Sequence, residues 1–267
     1  MAYPIVESFR LSFFKSNGTI ESFRGLANYR YILGNREFGL SIFNTSFITF
    51  FQLLAAIPLG FLIALIINGI NGKARKNTLK SLFFIPYITP VVAAGTLFLF
   101  VLHPQGILNQ LLGIIGIKTQ LPWLGIPYAA RFGVTFLSIW QTLGFNIIIF
   151  LAHLQAISPE YYEAASLDGC SKAQSHWYIT IPHMIGAGMF LFIMGWINGL
   201  QRFTDMYVLG GQFGSPSRAL LGIVGFIYER SFGNYEFGIA AAASYVLFVI
   251  ILLFTLINLR LNKRFEK

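Results

Sequence analysis

Charged residues are scarce in this chain of 267 residues, at 11% against roughly 25% in soluble domains. Apolar residues make up 55%. Five stretches contain no Asp, Glu, Lys or Arg: 41–68, 81–102, 132–159, 177–201 and 237–259. Each reaches the roughly 20 residues needed to cross the hydrocarbon core of a bilayer. The composition therefore excludes an ordinary water-soluble domain and predicts an integral membrane protein.

Cysteine and acidic residues are also few. Cys170 is the single cysteine, which excludes an internal disulfide and a cysteine-based metal site. Ten acidic residues face nineteen Lys and Arg, a formal net charge of +9. In a soluble domain that excess would suggest nucleic acid. In a membrane protein, basic residues beside the spans explain it, and no nucleic-acid partner is expected.

The residue patterns of catalysis are missing as well. Residues 71–74, Asn-Gly-Lys-Ala, lack the first glycine and the Ser or Thr of a phosphate-binding loop, so ATP hydrolysis by this chain is not expected. The four histidines form no metal-ligand pattern. No nucleophile, base and orienting group recur at catalytic spacing, which disfavours an intramembrane enzyme. No charged pair lies inside a span, which disfavours a proton- or sodium-coupled mechanism.

The five spans are predicted at 41–68, 81–102, 132–154, 182–201 and 237–259. The loop 69–80 has four basic residues and no acidic ones, which marks the cytoplasmic side. The basic tail after residue 259 marks the same side. Alternation from these two anchors puts residues 155–181 in the cytoplasm and residues 103–131 and 203–236 outside, the former as an ordered segment lying on the helices.

The same topology places the first 40 residues outside, together with five basic residues. Such a segment is unlikely to cross unaided, so we expect residues 1–14 to be the outer end of an earlier transmembrane helix. The alternative is a five-span protein with an exported N-terminus. The basic residues are Arg10, Lys15, Arg24, Arg30 and Arg36.

Within this apolar chain, residues 158–182 form a polar segment, SPEYYEAASLDGCSKAQSHWYITIP. Ser158 is suited to cap a helix and Pro159 to occupy its first turn. Gly169 follows about three turns later, as a helix-ending glycine does. Ser171 can begin a second short helix that runs towards Pro182. The segment is therefore predicted to be helix, glycine turn and helix.

The first of these helices has the features of a docking surface. Tyr161, Ala164 and Ala165 share one face at helical spacing, and Glu160 and Glu163 share a neighbouring face. Small alanine side chains allow another surface to approach closely, and carboxylates suit a basic partner.

The polar segment also carries a spaced motif. Glu163-Ala164-Ala165, Gly169, Ile179 and Pro182 reproduce the signature E-A-A-x3-G-x9-I-x-L-P, with Ile181 in place of the usual Leu. On these residues the chain resembles the permease subunits of binding-protein-dependent ABC importers.

The resemblance covers essentially the whole chain. Residues 3–9, 26–29, 44–46 and 237–242 resemble the carbohydrate-uptake branch, and the C-terminus resembles the first of its two permeases, the maltose-permease MalF type. One departure is that a Gly-Gly-Pro stretch of that branch appears here only as residues 210–216. The departure affects the substrate assignment more than the branch assignment.

The resemblance implies an all-α integral membrane fold of the type I permease bundle. It also implies a pore shared with a second homologous permease, two ATP-binding subunits and an external sugar-binding protein. No cofactor is expected on this chain, since ATP and Mg would be bound by the partner subunits. Residues 155–181 would form the coupling loop, which docks on the ATPase through Glu160, Glu163, Ala164, Ala165, Leu167, Asp168 and Gly169.

A sugar pathway needs aromatic faces and amide or hydroxyl groups inside the membrane. The candidates are Trp140, Gln141, Asn146, Trp196, Asn198, Gln201 and Tyr245. Each could equally serve helix packing, because an amide in hydrocarbon needs a partner. Arg202 and Asp205 are expected either to pair as an outer gate or to cap a helix. Gly195 and Gly199 form a G-x-x-x-G pair, which predicts close helix packing.

The sequence therefore predicts a multi-pass permease of a bacterial or archaeal cytoplasmic membrane that imports a sugar or oligosaccharide, with ATP hydrolysed by its partners and membrane lipid around it. An ion-coupled secondary transporter and an ABC permease for a non-sugar solute are the alternatives.

Overall fold

The computed structural model describes residues 2–117 and 120–265, so Lys267 of the predicted cytoplasmic tail lies outside it. Helices form most of the described chain, and one short hairpin accompanies them. The elements are α1 Ala2–Leu11, β1 Phe14–Ser16, β2 Glu21–Phe23, α2 Ala27–Gly34, α3 Arg36–Gly69, α4 Lys73–Ile88, α5 Val91–Val101, α6 Ile107–Ile114, α7 Pro127–Ala156, α8 Pro159–Leu167, α9 Lys172–Ser175, α10 Ile181–Leu200, α11 Thr204–Gly210, α12 Ile223–Tyr228 and α13 Phe237–Phe265, with π turns at His176–Thr180 and Glu229–Gly233.

Four uninterrupted helical segments are long and apolar enough to cross a membrane: Arg36–Gly69, Pro127–Ala156, Lys172–Leu200 and Phe237–Asn258. They contain the predicted spans 41–68, 132–154 and 182–201 apart from its last residue, and nearly all of 237–259. The all-α membrane fold class predicted from the sequence is confirmed.

The predicted span 81–102 is not one straight helix. It divides between α4 and α5, which are bent by 94° at the break between them. Thr89 adopts an extended conformation there, with φ −71° and ψ 129°. The residue before a proline is pushed out of the helical region, and Pro90 also lacks an N–H to continue the helix. The sequence predicted one continuous span because residues 81–102 contain no charged residue on either side of the break.

The chain forms two compact units, each built from separate segments. The first comprises Met1–Thr49, Val91–Thr135 and Ile197–Lys267, and the second comprises Phe50–Pro90 and Phe136–Trp196. In the second unit, an apolar core joins the C-terminal half of α3, the C-terminal half of α7 and the beginning of α10. Its buried members include Ile67, Ile147, Phe150, Leu151, Leu154, Met184 and Leu191.

The predicted close packing at the glycine pair is confirmed. A Cβ atom added to Gly195 would lie 2.3 Å from Leu53 Cδ2, and one added to Gly199 would lie 2.3 Å from Thr49 Cγ2. Both distances are far below van der Waals contact, so α10 approaches α3 closely only because these positions carry no side chain.

In the first unit, β1 and β2 form an antiparallel hairpin that the sequence analysis did not predict. Phe14 pairs with Phe23, and Ser16 pairs with Glu21. The Asn17 side-chain oxygen accepts hydrogen bonds from the backbone N–H of Thr19 and Ile20, at 3.1 and 2.8 Å. This local acceptor shapes the turn between the strands.

An ion-pair network ties several parts of the first unit together. Arg218 bonds both carboxylate oxygens of Glu229 and lies 2.9 Å from a carboxylate oxygen of Glu37. Arg230 reaches Glu37 and Glu236, each at 3.0 Å. We call these five residues the paired network. The hydrogen bonds with Glu229 raise the pKa of Arg218 above its ordinary value.

The paired network also supports a loop of unfavourable geometry. Ser217 and Arg218 have φ values of 48° and 63°, in the left-handed region that side chains other than glycine rarely adopt. The amide of Asn44 donates to the Arg218 carbonyl at 2.8 Å and to the Leu221 carbonyl at 2.9 Å. Arg218 is therefore held in its strained conformation through both its guanidinium group and its backbone carbonyl.

Candidate functional site

The coupling loop begins with a helix whose N-terminus agrees with the prediction. The Ser158 hydroxyl accepts a hydrogen bond from the Glu160 N–H at 3.4 Å, and Pro159 occupies the first turn of α8. Glu160 lies in the same turn, where a carboxylate interacts favourably with the positive end of the helix dipole. Local sequence therefore fixes where this helix starts.

Gly169 ends α8 as predicted. It has φ +79°, its N–H donates to the Ser166 carbonyl at 3.2 Å, and the N–H of Cys170 donates to the Ala165 carbonyl at 2.9 Å. This bonding pattern is the Schellman motif, which satisfies the last carbonyls of a helix. A Cβ atom at Gly169 would meet nothing within 4 Å. The requirement for glycine is thus conformational and does not come from a close neighbour among the described residues.

The second part of the coupling loop is continuous with the next membrane helix. Ser171 and Gln174 form a reciprocal capping box at the start of α9. A π turn, His176–Thr180, then leads directly into α10, and the N–H of Ile181 donates to the His176 carbonyl. Pro182 lacks an N–H and would clash with the carbonyl four residues earlier in a regular α-helix, and a wider turn relieves that conflict. The predicted separate short helix is therefore the first part of a segment running from Lys172 to Leu200.

Two tyrosines attach α8 to this segment. The Tyr162 hydroxyl lies 2.9 Å from the hydroxyl of Thr180, which is fully buried, and His176 Nδ1 lies 3.0 Å from the same hydroxyl. The ring centroid of Tyr161 lies 5.7 Å from that of His183. Tyr162 also packs against the apolar core of the second unit. These contacts fix the position of the helix relative to α10.

The sequence analysis did not identify Tyr162 and Thr180 as positioning residues. It placed Tyr161 on the docking face, and the structure leaves that side chain 56% exposed. A tyrosine whose ring packs against an apolar core needs a hydrogen-bond partner for its hydroxyl. The residue type of Tyr162, in a helix close to a membrane span, was therefore the one signal for a positioning role.

The remaining residues predicted to contact an ATPase lie together on the surface of α8 and its end. Leu167 is 88% exposed, an unusual value for a leucine in an ordered helix. Glu160, Glu163, Ala164, Asp168 and Gly169 are exposed, and Ala165 is half-buried. Among the residues that the structure describes, the three acidic side chains form no ion pair. The arrangement offers a negative, partly apolar helix to a partner.

The polar candidates for the solute pathway in the second unit have defined packing roles. Asn146 is buried, and its amide donates to the Ala56 carbonyl of α3 at 3.1 Å. Gln141 donates to the Thr89 carbonyl at 3.4 Å, at the break between α4 and α5. Trp140 and Trp196 are half-buried, and Trp196 lies beside Phe192 with ring centroids 6.1 Å apart. These groups hold helices together, and their contact with a solute stays a prediction.

The pathway candidates in the first unit differ from one another in exposure and in hydrogen bonding. Asn198 and Gln201 are exposed on α10 and just after it. The Tyr245 hydroxyl donates to the Ile5 carbonyl at 2.6 Å and lies 3.2 Å from the Ser8 hydroxyl. Tyr245 therefore attaches α13 to α1. Asn198 and Gln201 are the pathway candidates with the most accessible side chains.

The expected pairing of Arg202 with Asp205 is present. Arg202 Nη1 lies 3.0 Å from Asp205 Oδ2, and the two side chains are only 8% and 12% exposed. Asp205 lies in the first turn of α11. The observed ion pair agrees with both predicted alternatives, in which the two residues form an outer gate or cap a helix.

The described residues contain no group of three or more His, Cys, Asp or Glu side chains that could hold a metal ion. Within residues 155–181, the formally charged side chains are the three carboxylates Glu160, Glu163 and Asp168 and the ammonium of Lys172.

Comparisons with known proteins agree with this architecture. Residues 56–267 match the family described as "Binding-protein-dependent transport system inner membrane component". The chain is 34% identical to the arabinooligosaccharides transport system permease protein AraP of Bacillus subtilis, over 99% of this chain and 84% of that protein. It is 31% identical to the trehalose/maltose transport system permease protein MalF of Thermococcus litoralis, over 97% and 87%.

The fold is also found in a solved structure. A chain of a bacterial alginate ABC transporter, crystallised with its alginate pentasaccharide-bound periplasmic protein, superimposes with a TM-score of 0.84 at 24% identity. The match covers 99% of this chain and 89% of that one. At this level of identity the likeness shows a shared fold over nearly the whole chain.

Proposed function

Because the chain belongs to the family of inner-membrane components of binding-protein-dependent transport systems, we propose that it is the permease subunit of an ATP-driven importer of a sugar or oligosaccharide. The family predicted from the coupling loop is confirmed, and with it a multi-pass transport component rather than an enzyme. The imported solute and the partner subunits belong to the proposal.

The proposal of a saccharide rests on the relatives. AraP and MalF are both named for saccharide transport, and this chain matches each over nearly its whole length. The solute would reach the chain from an external binding protein, because the family as a whole depends on such proteins.

The exposed surface of α8 carries the proposed coupling. A second homologous permease would complete the pore, and two ATP-binding subunits holding ATP and Mg would each receive one coupling helix. Glu163 would contact a basic group on the ATPase, while Ala164, Ala165 and Leu167 would pack in its cleft. Since Tyr162 and Thr180 attach α8 to the segment leading into α10, a displacement of the helix would be transmitted to a membrane-crossing helix.

The solute pathway is proposed to use the accessible amides of Asn198 and Gln201 together with the rings of Trp140 and Trp196. The buried pair of Arg202 and Asp205 would act as an outer gate. Separating the two side chains would leave two unpaired charges in a site from which water is largely excluded, which costs free energy. The ion pair would therefore favour the closed state of the gate.

Uptake into reconstituted vesicles tests the transport proposal. The complex that copurifies with this chain is reconstituted and supplied with external binding protein and labelled arabino-oligosaccharide or maltose. Uptake should require internal ATP and should survive an ionophore that collapses the proton gradient. Uptake by this chain alone without ATP, or uptake abolished by the ionophore while ATP is maintained, would instead assign an ion-coupled carrier.

A further inference from the structure

A cavity of about 420 Å³ opens beside the loop between α3 and α4. Its wall is formed by residues 70–72 of that loop, the first half of α4 and one residue of α7, all within the second unit. The polar groups around it are Asn71, Lys73, Lys76, Asn77, Lys80 and Gln155. Three ammonium groups and three amides therefore surround one concavity, and every charged group of the lining is positive.

The three lysines follow one side of α4, at positions i, i+3 and i+7, where like charges repel each other. Lys76 is held in place, because its ammonium donates to the Asn68 carbonyl at 2.7 Å. Lys76 and Lys80 are half-buried. Partial burial of an ammonium costs free energy unless an anion or hydrogen-bond acceptors replace the lost water.

The surrounding chain supplies no such anion. The sequence contains no Asp or Glu between Glu37 and Glu160. Within the part of the second unit that the structure describes, Lys73, Lys76 and Lys80 form no ion pair. Among the described residues, no carboxylate therefore pairs with the positive charge at this cavity, in contrast to the arginines of the paired network.

The position of the cavity identifies the source of the anion. The apolar run of α3 ends at Gly69, and one turn beyond Lys80 the helix α4 carries Leu82 and Ile85, which are 60% and 54% exposed. The lysines thus lie where the exposed apolar surface of α4 gives way to polar surface, which is the level at which we expect lipid headgroups. Basic pockets at this level on the cytoplasmic side are suited to anionic headgroups.

We propose that this cavity, which we call the lysine cavity, binds the phosphate group of an anionic phospholipid of the cytoplasmic leaflet. Lys73 and Lys80 contact the phosphate, Lys76 contributes its fixed charge, and the amides of Asn77 and Gln155 donate to headgroup oxygens. A general excess of basic residues in a cytoplasmic loop needs no cavity, whereas here the charges surround a space of ligand size. The inference goes beyond the transport role and does not depend on the identity of the solute.

Native mass spectrometry of the detergent-solubilised full chain tests the lysine cavity. Dioctanoyl phosphatidylglycerol, dioctanoyl phosphatidylcholine and inorganic phosphate are added separately, and bound adducts give apparent dissociation constants. The double variant Lys73→Gln/Lys80→Gln should bind phosphatidylglycerol about 30-fold more weakly, at about fivefold for each ammonium near a headgroup. The wild type should prefer phosphatidylglycerol to phosphatidylcholine.

Two further variants serve as controls. Lys15→Gln/Arg24→Gln removes two exposed positive charges from the first unit and should retain wild-type affinity. Lys73→Arg/Lys80→Arg keeps the charge and should retain most of the affinity, which excludes misfolding as the cause of the loss.

Three results would overturn the proposal. The first is unchanged phosphatidylglycerol affinity in the double glutamine variant. The second is inorganic phosphate binding as tightly as the lipid, which would assign the cavity to a soluble phosphate. The third is loss of ATPase copurification with lipid affinity intact, which would assign the lysines to a protein partner.

Discussion

Two groups of charged side chains in this chain are used in opposite ways. In the paired network, each charged side chain has an ionic partner within the first unit, with two arginines bridging three glutamates: Arg218, Arg230, Glu37, Glu229 and Glu236. The acidic side chains of the coupling loop, within the second unit, have no ionic partner among the described residues and are exposed. In a chain with only 11% charged residues, one group of charged side chains is thus paired within the fold and the other is exposed to solvent.

The physical difference between the two groups is desolvation. The side chain of Glu229 is 10% exposed and that of Arg230 is 13% exposed, so loss of a partner leaves a charge that water does not fully solvate. Glu160, Glu163 and Asp168 are exposed to water, and removal of one carboxylate leaves nothing unsatisfied. Substitutions in the two groups should therefore separate stability from coupling.

The largest effect on stability is expected for Arg218→Ala. It removes both hydrogen bonds to Glu229 and leaves that carboxylate nearly buried without its main partner. Breaking a buried pair on one side costs about 3 kcal/mol. Thermal unfolding of the purified chain in detergent should show a clearly lowered midpoint.

Arg10→Ala is the matched control, because the ion pairs of Arg10 with Glu7 and Glu21 are exposed. Solvent-exposed ion pairs contribute little to stability, so the unfolding midpoint of Arg10→Ala should stay near that of the wild type. Equal midpoints for the two alanine variants would contradict the structural role of the paired network.

Gly169→Ala is expected to cost less. No atom lies within 4 Å of the added Cβ, so the cost arises from the φ of +79°, at about 1–2 kcal/mol for a side chain in the left-handed region. The turn at the end of α8 should loosen, and copurification of the ATPase should fall while the global unfolding midpoint changes modestly.

Gly169→Asn distinguishes conformation from contact, since asparagine tolerates the left-handed region better than alanine does. It should retain more ATPase association than Gly169→Ala. The reverse order would mean that the partner contacts this position directly and that the turn is not what matters.

Tyr162→Phe should lower the free energy of unfolding by about 1 kcal/mol or less, the net contribution of one hydrogen bond. The buried Thr180 hydroxyl keeps His176 as a neighbour at 3.0 Å, so it is not left unsatisfied. Coupling of ATP hydrolysis to uptake should suffer more than ATPase association, because the helix is present but less firmly attached. Hydrolysis and uptake rates measured on the same vesicles provide the ratio.

The smallest change in stability is expected for Glu163→Gln, within about 0.5 kcal/mol, because the side chain is exposed and unpaired. ATPase copurification should nevertheless decrease, and Glu163→Lys should decrease it further. Glu21→Gln, which changes an exposed carboxylate of the first unit, should leave copurification unchanged. Wild-type association of both Glu163 variants would remove the proposed charge contact.

Features fixed by neighbouring residues were predicted from the sequence. The caps at Ser158 and Gly169 and the close approach at Gly195 and Gly199 each follow from residues a few positions apart. The hairpin could also have been predicted, because Asn17-Gly18 between short alternating segments is a known turn signal. Each of its strands has only three residues, which is too short for an alternating pattern to stand out in the sequence.

Features that depend on distant residues were beyond sequence reasoning. Nothing in the local sequence indicates that the Asn146 amide would bond a carbonyl of α3 or that Tyr245 would attach α1. The break at Thr89-Pro90 was only partly predictable. A proline is a local signal for the end of a helix, but the apolar run on both sides of it resembles one continuous span. For the solute pathway, residue type alone does not distinguish a residue that contacts solute from one that packs helices together, because the packing partners are distant in the sequence.

The single thiol of the chain has a practical consequence. Cys170 is half-buried and directly follows Gly169, and its N–H closes the turn that ends α8. Because the chain holds no other cysteine, a spin label or fluorophore attached there would report from one known position without any engineered background. A label on Cys170 would therefore lie at the end of α8, where it would test the proposed displacement of this helix during the nucleotide cycle.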